Sequence, residues 1–248
     1  MDRLKAYYPE QAVLDLLSEP DGRHGRRLRA ALADTYGIRI REYPDRFVLN
    51  YSQIGSARHR FEPVVRVSRQ LIVRRDLSGI LHRSFDRFYN YREDPDSDAF
   101  DAAKAVCEAK LNGSLVGVYH DGTAWRHCTR SLAYAEGTMD ACLEYRSFGE
   151  LLDSEVDLSP VYEQGDPALS YLFELVSRFD PHVSKASGTR LYLLAARNKR
   201  SGEYADADAE ARRIGWPWRP KTYAFGSLQE LRRASGRCLP QKRAASAG

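Results

Sequence analysis

CEAKLNGSLVGVYHDG, residues 107–122, governs how the rest of the chain is read. Lys110 stands just before Asn112-Gly113, a pair that favours a tight turn with positive φ. Residues 115–120 and 123–129 alternate around Asp121-Gly122, which signals a β-hairpin. A glycine without Cβ lets the backbone approach a bound phosphate closely, and Ser114 adds a hydroxyl donor. A lysine before a turn is ordinarily solvated at the mouth of a hairpin. Desolvated in a pocket, or set beside another cation, it becomes a nucleophile.

Working outward, residues 11–18 (QAVLDLLS) have helical spacing that Glu19-Pro20-Asp21-Gly22 stops. Residues 27–36 predict a second helix. From Arg46 the texture changes to short β-rich runs: RFVLNYSQI, PVVRVSRQLIVRRD and HRSFDRFYNY. Residues 93–98 (EDPDSD) form an acidic loop, and residues 99–109 a short helix or an extended segment. Residues 138–152 predict a helix. LSYLFELV (169–176) and RLYLLAA (190–196) predict buried strands. Residues 227–234 predict a helix capped by Ser227 with Glu230 three residues on. The expected architecture is α+β with an antiparallel sheet. It forms one domain over residues 1–240, with residues 1–45 a helical lead-in and 241–248 a disordered tail.

Composition bounds the function. The 248 residues are 43% hydrophobic and 29% charged, an ordinary globular balance. A net charge of +4 and a pI of about 8.8 permit a phosphate-rich partner without requiring one. Cys107, Cys128, Cys142 and Cys238 show no metal-ligand or disulfide spacing, which points to a reducing compartment. No apolar run approaches the ~20 residues that span a bilayer, and the N-terminus has no signal-peptide core. A cytoplasmic protein without membrane partners is expected.

Other residues could carry chemistry. Glu174 lies inside an apolar run, sharing a strand face with Leu172 and Val176. It is either a solvent-facing or ion-paired glutamate, or a pocket carboxylate that binds a ribose hydroxyl or a cation. Arg69, Arg74, Arg75, Arg87, Arg126 and Arg130 recur through the β-rich part. Surface arginines are mostly just solvated, whereas several converging on one pocket would clamp phosphate. Phe88-Tyr89 is more often a core pair than a base-stacking platform.

Taken in order, these segments resemble the ATP-dependent RNA ligase family of the T-even phage type, within the covalent nucleotidyltransferase superfamily. The resemblance runs from about Phe47 to Leu239. KLNGSL resembles the family's K-x-D/N-G-S-L motif, whose lysine takes AMP from ATP. RFYNY resembles K-F-F-N, FELV resembles the F-E motif, and AARNKRSGEY resembles the strand and turn that follow. The resemblance implies an antiparallel nucleotidyltransferase (adenylyltransferase) domain and, with magnesium, a covalent lysyl-AMP on Lys110. The AMP then passes to an RNA 5′-phosphate, and a 3′-hydroxyl seals the strand. It implies that Gly113 lies along the nucleotide, Glu174 binds the ribose, Leu194 flanks the adenine and Glu108 sits near the base edge. Arg69, Arg87 and Arg130 match the family's basic positions. Metal ligands are not assigned.

The sequence also departs from the pattern. Gln70 replaces the glycine after Arg69, and Arg87 stands where lysine is usual. No E-G-Y/F-V strand and no K-x-K follow Leu239, so the domain reads as truncated at its C-terminus. Two hypotheses result. One is an RNA ligase whose C-terminal motifs are lost, supplied by a second chain, or encoded beyond a frameshift. The other is a nucleotide- or RNA-binding remnant with impaired catalysis. A phage-encoded ligase would work in its host's cytoplasm. A DNA ligase or capping enzyme shares the lysine chemistry but fits the order of segments less well.

Overall fold

The computed structural model describes residues 23–90, 93, 106–139, 142–180, 182, 186–225, 227, 229, 230 and 233. The helix expected at 11–18, residues 94–105 and the tail at 241–248 lie outside them. The chain forms two compact units, one from Met1–Phe88 and Leu111–Arg219, the other from Tyr89–Lys110 and Pro220–Gly248.

The first unit begins with helix α1 (Arg23–Tyr36), strands β1 (Ile38–Glu42) and β2 (Arg46–Tyr51), helix α2 (Pro63–Val67), and strands β3 (Leu71–Arg74) and β4 (Ile80–His82). Strand β5 (Cys107–Glu108) belongs to the second unit. The first unit resumes with β6 (Ser114–His120), β7 (Trp125–Thr129), α3 (Phe148–Glu155), α4 (Ser159–Gln164), β8 (Leu169–Val176), β9 (Arg190–Asn198) and α5 (Ala207–Ile214). Strand β10 (Thr222–Tyr223) returns to the second unit, antiparallel to β5.

Two four-stranded antiparallel sheets make the first unit, in the orders β1-β2-β3-β4 and β7-β6-β8-β9. The side-chain period of two divides each sheet's residues between its faces. Phe47, Leu49, Leu71 and Val73 pack one face of the first sheet with Leu32 of α1 and Val64, Val65 and Val67 around α2. Val48, Ile72 and Leu81 turn to the other face and meet Tyr119 and Cys128 from the second sheet and Ala133 from the bend after β7. The far face of the second sheet, Val116, Val118, Tyr171, Phe173 and Leu193, is covered by Leu151 and Leu152 of α3, Val161 of α4 and Ile214 of α5. The result is helix, sheet, sheet, helix, which is the expected α+β class. Among the described residues no helix is long and apolar enough to cross a membrane.

Several expectations are corrected. The helix expected at 138–152 starts only at Phe148. Ser147 caps it, its Oγ accepting from Glu150 N at 3.2 Å, and Thr138 bridges back to Ser147. PVVRV is helix α2 rather than strand, because Pro63 at the first helical position presets φ for a helical turn. Regular pairing in HRSFDRFYNY ends at His82, after which Arg83 N donates to Ser170 Oγ. Strand β1 lies inside the stretch expected as a helical lead-in; Gly37, at φ +63, ends α1 and turns the chain into it. Strand β7 starts at Trp125, since Thr123 N and Ala124 N donate to the Asp121 side chain instead. Ser227 does cap as expected, accepting from Glu230 N at 3.2 Å.

The sheets meet most tightly at Gly117. A Cβ there would lie 2.4 Å from His82 Cε1 and 2.8 Å from Cys128 Sγ. His82 is fully buried, and neither ring nitrogen has a hydrogen-bond partner among the described residues. Gly117→Ala is expected to destabilise by roughly 1–3 kcal/mol through overpacking, with most of that loss absent in a His82→Ala background. Urea titrations of the double-mutant cycle test this, and purely additive effects would refute the contact.

Burial pushes the His82 imidazole down to about 3, helped by the charge of Lys199. Its folded pKa lies below the ordinary value of 6.5, so the unfolded chain binds the extra proton. His82 therefore contributes stability that is complete above about pH 6.5 and drains away as pH falls towards 3. Stability measured by urea across that window should slope less with pH in His82→Ala than in wild type.

Candidate functional site

Strand pairing draws the head of β6 to the end of β8. Ser114 opposes Leu175, Leu115 opposes Glu174, and Glu174 opposes Tyr192 on β9. Gly113 precedes β6 where no side chain fits: a Cβ would stand 2.1 Å from Leu175 O and 3.1 Å from Glu174 Cγ. The glycine of the NGS turn is thus demanded by strand β8. Leu194 is the extra residue of a bulge in β9, between the partners of Leu172 and Phe173, and is half-buried. Arg219 Nη1 holds this bulge, donating to Leu193 O at 2.5 Å and Leu194 O at 2.9 Å.

Two of the six recurring arginines meet at one ring, and a third lies within their electrostatic reach. The guanidinium of Arg87 lies 4.5 Å, and that of Arg130 5.6 Å, from the centroid of Tyr51, the last residue of β2. Arg87 is buried and donates from Nη1 to Ser56 Oγ at 2.7 Å and from Nη2 to Gln53 Oε1 at 3.4 Å. Arg130 is exposed. Arg69 is half-buried; burial pulls its pKa down, and it feels Arg130, Tyr51 and Glu174. Its Nε is buried without a hydrogen-bond partner among the described residues. Arg69, Arg87, Arg130 and Glu174 thus share one neighbourhood, which the aromatic ring and the carboxylate make tolerable for the cations.

The other three arginines hold the fold together. Arg74 Nη2 donates to Asp121 O at 2.6 Å, Arg126 Nε to Asp121 Oδ2 at 2.9 Å, and Arg75 Nη1 to Tyr43 O at 3.1 Å. Burial raises the Asp121 pKa, but hydrogen bonds from Thr123, Arg126 and Ala124 outweigh it and hold the carboxyl well below the usual range.

Glu108 and Lys110 lie in the second unit, both exposed. Glu108 opposes Thr222, and Ala109 N donates to Lys221 O at 2.8 Å, so the short β5–β10 ladder orders the backbone up to the lysine.

Sequence reasoning left Tyr51, Gln53 and Ser56 without roles, although YSQI was among the matching segments. An aromatic at the end of a strand gives no sign of which cations will reach it. It also missed Asp180, whose Oδ2 accepts from Ser114 Oγ at 2.6 Å and lies 3.1 Å from His182 Nε2. Gln70, where the resemblance puts glycine, has φ 54, in the left-handed region that glycine enters freely. Among the described residues no group of three or more His, Cys, Asp or Glu side chains could hold a metal ion.

No family model matches the sequence. The chain is 29% identical over 219 residues to a protein of Autographa californica nuclear polyhedrosis virus described as a candidate bifunctional polynucleotide kinase/RNA ligase. That match takes in 80% of this chain and 30% of the relative. In fold the chain is similar to an archaeal ATP-dependent RNA ligase in two forms, with TM-scores of 0.58 and 0.57 at 14% and 17% identity. Each of these matches covers 91% of this chain and 58% of the other. A candidate ATP-dependent DNA ligase from Aquifex aeolicus matches with a TM-score of 0.50 at 14% identity, over 86% of this chain and 54% of that one. The chain therefore spans under a third of its curated relative and little over half of the solved structures. Its fold is that of the ATP-dependent ligase nucleotidyltransferase domain.

Arg87→Lys keeps the charge but loses the planar fork. It should cost about 1–2 kcal/mol of stability in urea titrations, whereas Arg130→Lys, on an exposed side chain, should stay within about 0.5 kcal/mol of wild type. Equal effects would contradict the distinct placements of the two guanidinium groups.

Proposed function

We propose that this chain is the nucleotidyltransferase part of an ATP-dependent RNA ligase of the T-even phage type. The observation that carries the reading is the meeting of Arg87 and Arg130 over Tyr51, with Arg69 and Glu174 within electrostatic reach. Like charges repel, so such a cluster needs a compensating use. Triphosphate supplies one, and the buried, unpartnered Nε of Arg69 is a donor that a phosphate oxygen would satisfy.

In this reading Lys110 Nζ attacks the α-phosphorus of ATP. A P–N bond forms, the bond to the bridging oxygen breaks and pyrophosphate leaves with the electron pair. An RNA 5′-phosphate oxygen next displaces the lysine, which makes a 5′–5′ pyrophosphate bond. A 3′-hydroxyl then attacks that activated phosphate and releases AMP. The arginines offset negative charge as it moves onto the leaving phosphates. Glu174 takes the ribose hydroxyls, Leu194 lies along the adenine and Glu108 meets the base edge. Gly113 contributes by its smallness, letting the backbone after Lys110 lie against β8. Magnesium, arriving with the phosphates, would supply further charge neutralisation.

Incubation of the folded chain with ATP labelled at the α-phosphate tests the first step. A label that survives denaturation and disappears in Lys110→Ala is expected. Arg87→Ala should lower its rate by about 10²-fold, the scale of removing one electrostatic contact in a transition state. Label retained in Lys110→Ala would place the nucleophile elsewhere. A folded wild-type chain that takes no label would favour the binding remnant.

A further inference from the structure

Phe85, Phe88 and Tyr204 form a ring cluster that the adenylylation chemistry does not use. Phe85 lies between the others, its centroid 5.1 Å from Phe88 and 6.1 Å from Tyr204, the latter pair near parallel at 25°. The flanking rings are open to solvent: Phe88 is 63% and Tyr204 50% exposed. Three rings serving only one another would bury those faces. Exposed aromatic surface of this kind marks interaction sites.

The surroundings are cationic. Arg69 lies 4.3 Å over Phe88, and Arg197 lies 4.8 Å over Tyr204. Arg83 packs its guanidinium against Gly202, where a Cβ would fall 2.2 Å from Nη1. The carboxylate in their midst, Asp86, is taken by Arg197, with Nη1 at 2.9 Å and Nη2 at 3.1 Å. Among the described residues, Arg69 and Arg197 thus bring two cations to the rings against this one carboxylate. Open aromatic faces next to surplus guanidinium charge suit an unpaired polynucleotide: its bases stack on the rings while its phosphates lie near the cations. A duplex hides its base faces and gains only the electrostatic part.

We infer that Phe88, Phe85 and Tyr204 are a stacking platform for an unpaired RNA strand. That the strand is RNA rests on the ligase reading; that it is unpaired rests on the rings alone. The platform places strand binding on the first unit, beside the arginine cluster.

The test is fluorescence anisotropy with a labelled single-stranded RNA of about 12 nucleotides, within the span one small domain covers. The wild-type chain is compared with Phe88→Ala, Tyr204→Ala, the double variant and Tyr204→Phe, each checked for folding by circular dichroism. Each alanine should weaken binding about tenfold and the double variant more, while Tyr204→Phe, which keeps the ring, binds as wild type. Duplex RNA of the same sequence should bind all five proteins alike. A double variant that holds the single strand as tightly as wild type overturns the platform, and so does a wild type that binds no single strand. Self-adenylylation needs no RNA, so the two readings fail separately. Label on Lys110 with ring-independent strand binding sinks the platform alone. Ring-dependent strand binding without label supports the platform and counts against the ligase.

Discussion

Strand β6 leaves no space on either side of its backbone, and the first unit depends on that. It pairs with β7 along one edge and β8 along the other. At its head, Gly113 comes so near Leu175 O that only hydrogen fits in place of a side chain. At its middle, Gly117 makes room for the His82 ring from the opposing sheet. The first approach fixes the turn after Lys110 against the strand bearing Glu174. The second sets how closely the sheets stack, and so where Tyr51, at the end of β2, and Arg69, just before β3, stand relative to the second sheet. Packing at interior density transmits such constraints rather than absorbing them.

Within that frame, guanidinium groups meet two fates. Arg46 is locked by Asp45 and Asp121 and by the Tyr119 hydroxyl, and Arg197 by Asp86 and the carbonyls of Ser84 and Gly202. These have their acceptors inside the fold and hold loops in place. Arg87 and Arg130 lean instead on an aromatic face, which attracts a cation by ~0.5–2 kcal/mol yet leaves lone pairs for others to offer. Among the described residues Arg87 adds neutral hydrogen-bond partners, Ser56 and Gln53. A cation held by a ring and neutral oxygens keeps most of its field for a ligand, whereas one chelated by a carboxylate does not. The distinction separates the candidate phosphate binders from the structural arginines more sharply than burial does.

How much of this could be read from the chain depended on the range of the signal. Strand β8 was legible to the residue and β9 nearly so, because buried strands are continuous apolar runs with turn chemistry at both ends. The β6–β7 hairpin was legible from Asp121-Gly122, though the strand start was not, since Asp121 claims the next two amides with its own side chain. Helix α5 was missed although Asp206 caps it and Gly215 ends it at φ 72; eight residues give little periodicity. In PVVRV the β-branched run outweighed Pro63. The glycine at 113 was legible as special, but the reason expected was a ligand and the reason found is a neighbouring strand. The gathering of Arg69, Arg87 and Arg130 was not legible at all. Residues spread over about 60 positions meet only through the stacking of two sheets, and no local pattern encodes that.

Gln70 shows how a departure from a family pattern can preserve its physical content. The resemblance puts glycine after Arg69, and the backbone here still takes the left-handed conformation that glycine suits, φ 54. A non-glycine residue held there costs ~1–3 kcal/mol. The side chain contributes something in return: fully buried, Gln70 donates from Nε2 towards Cys128 O at 3.3 Å and Cys128 Sγ at 3.4 Å, across to the second sheet. Glycine would ease the turn and forfeit that link. The turn itself matters because it reverses the chain between α2 and β3 and so sets Arg69, the residue just before it, over the Phe88 ring and within electrostatic reach of Arg130 and Glu174. What is preserved is the conformation that directs the arginine. The identity of the residue that adopts it can change, here at the cost of a buried Oε1 with no hydrogen-bond partner among the described residues, offset by the Nε2 link.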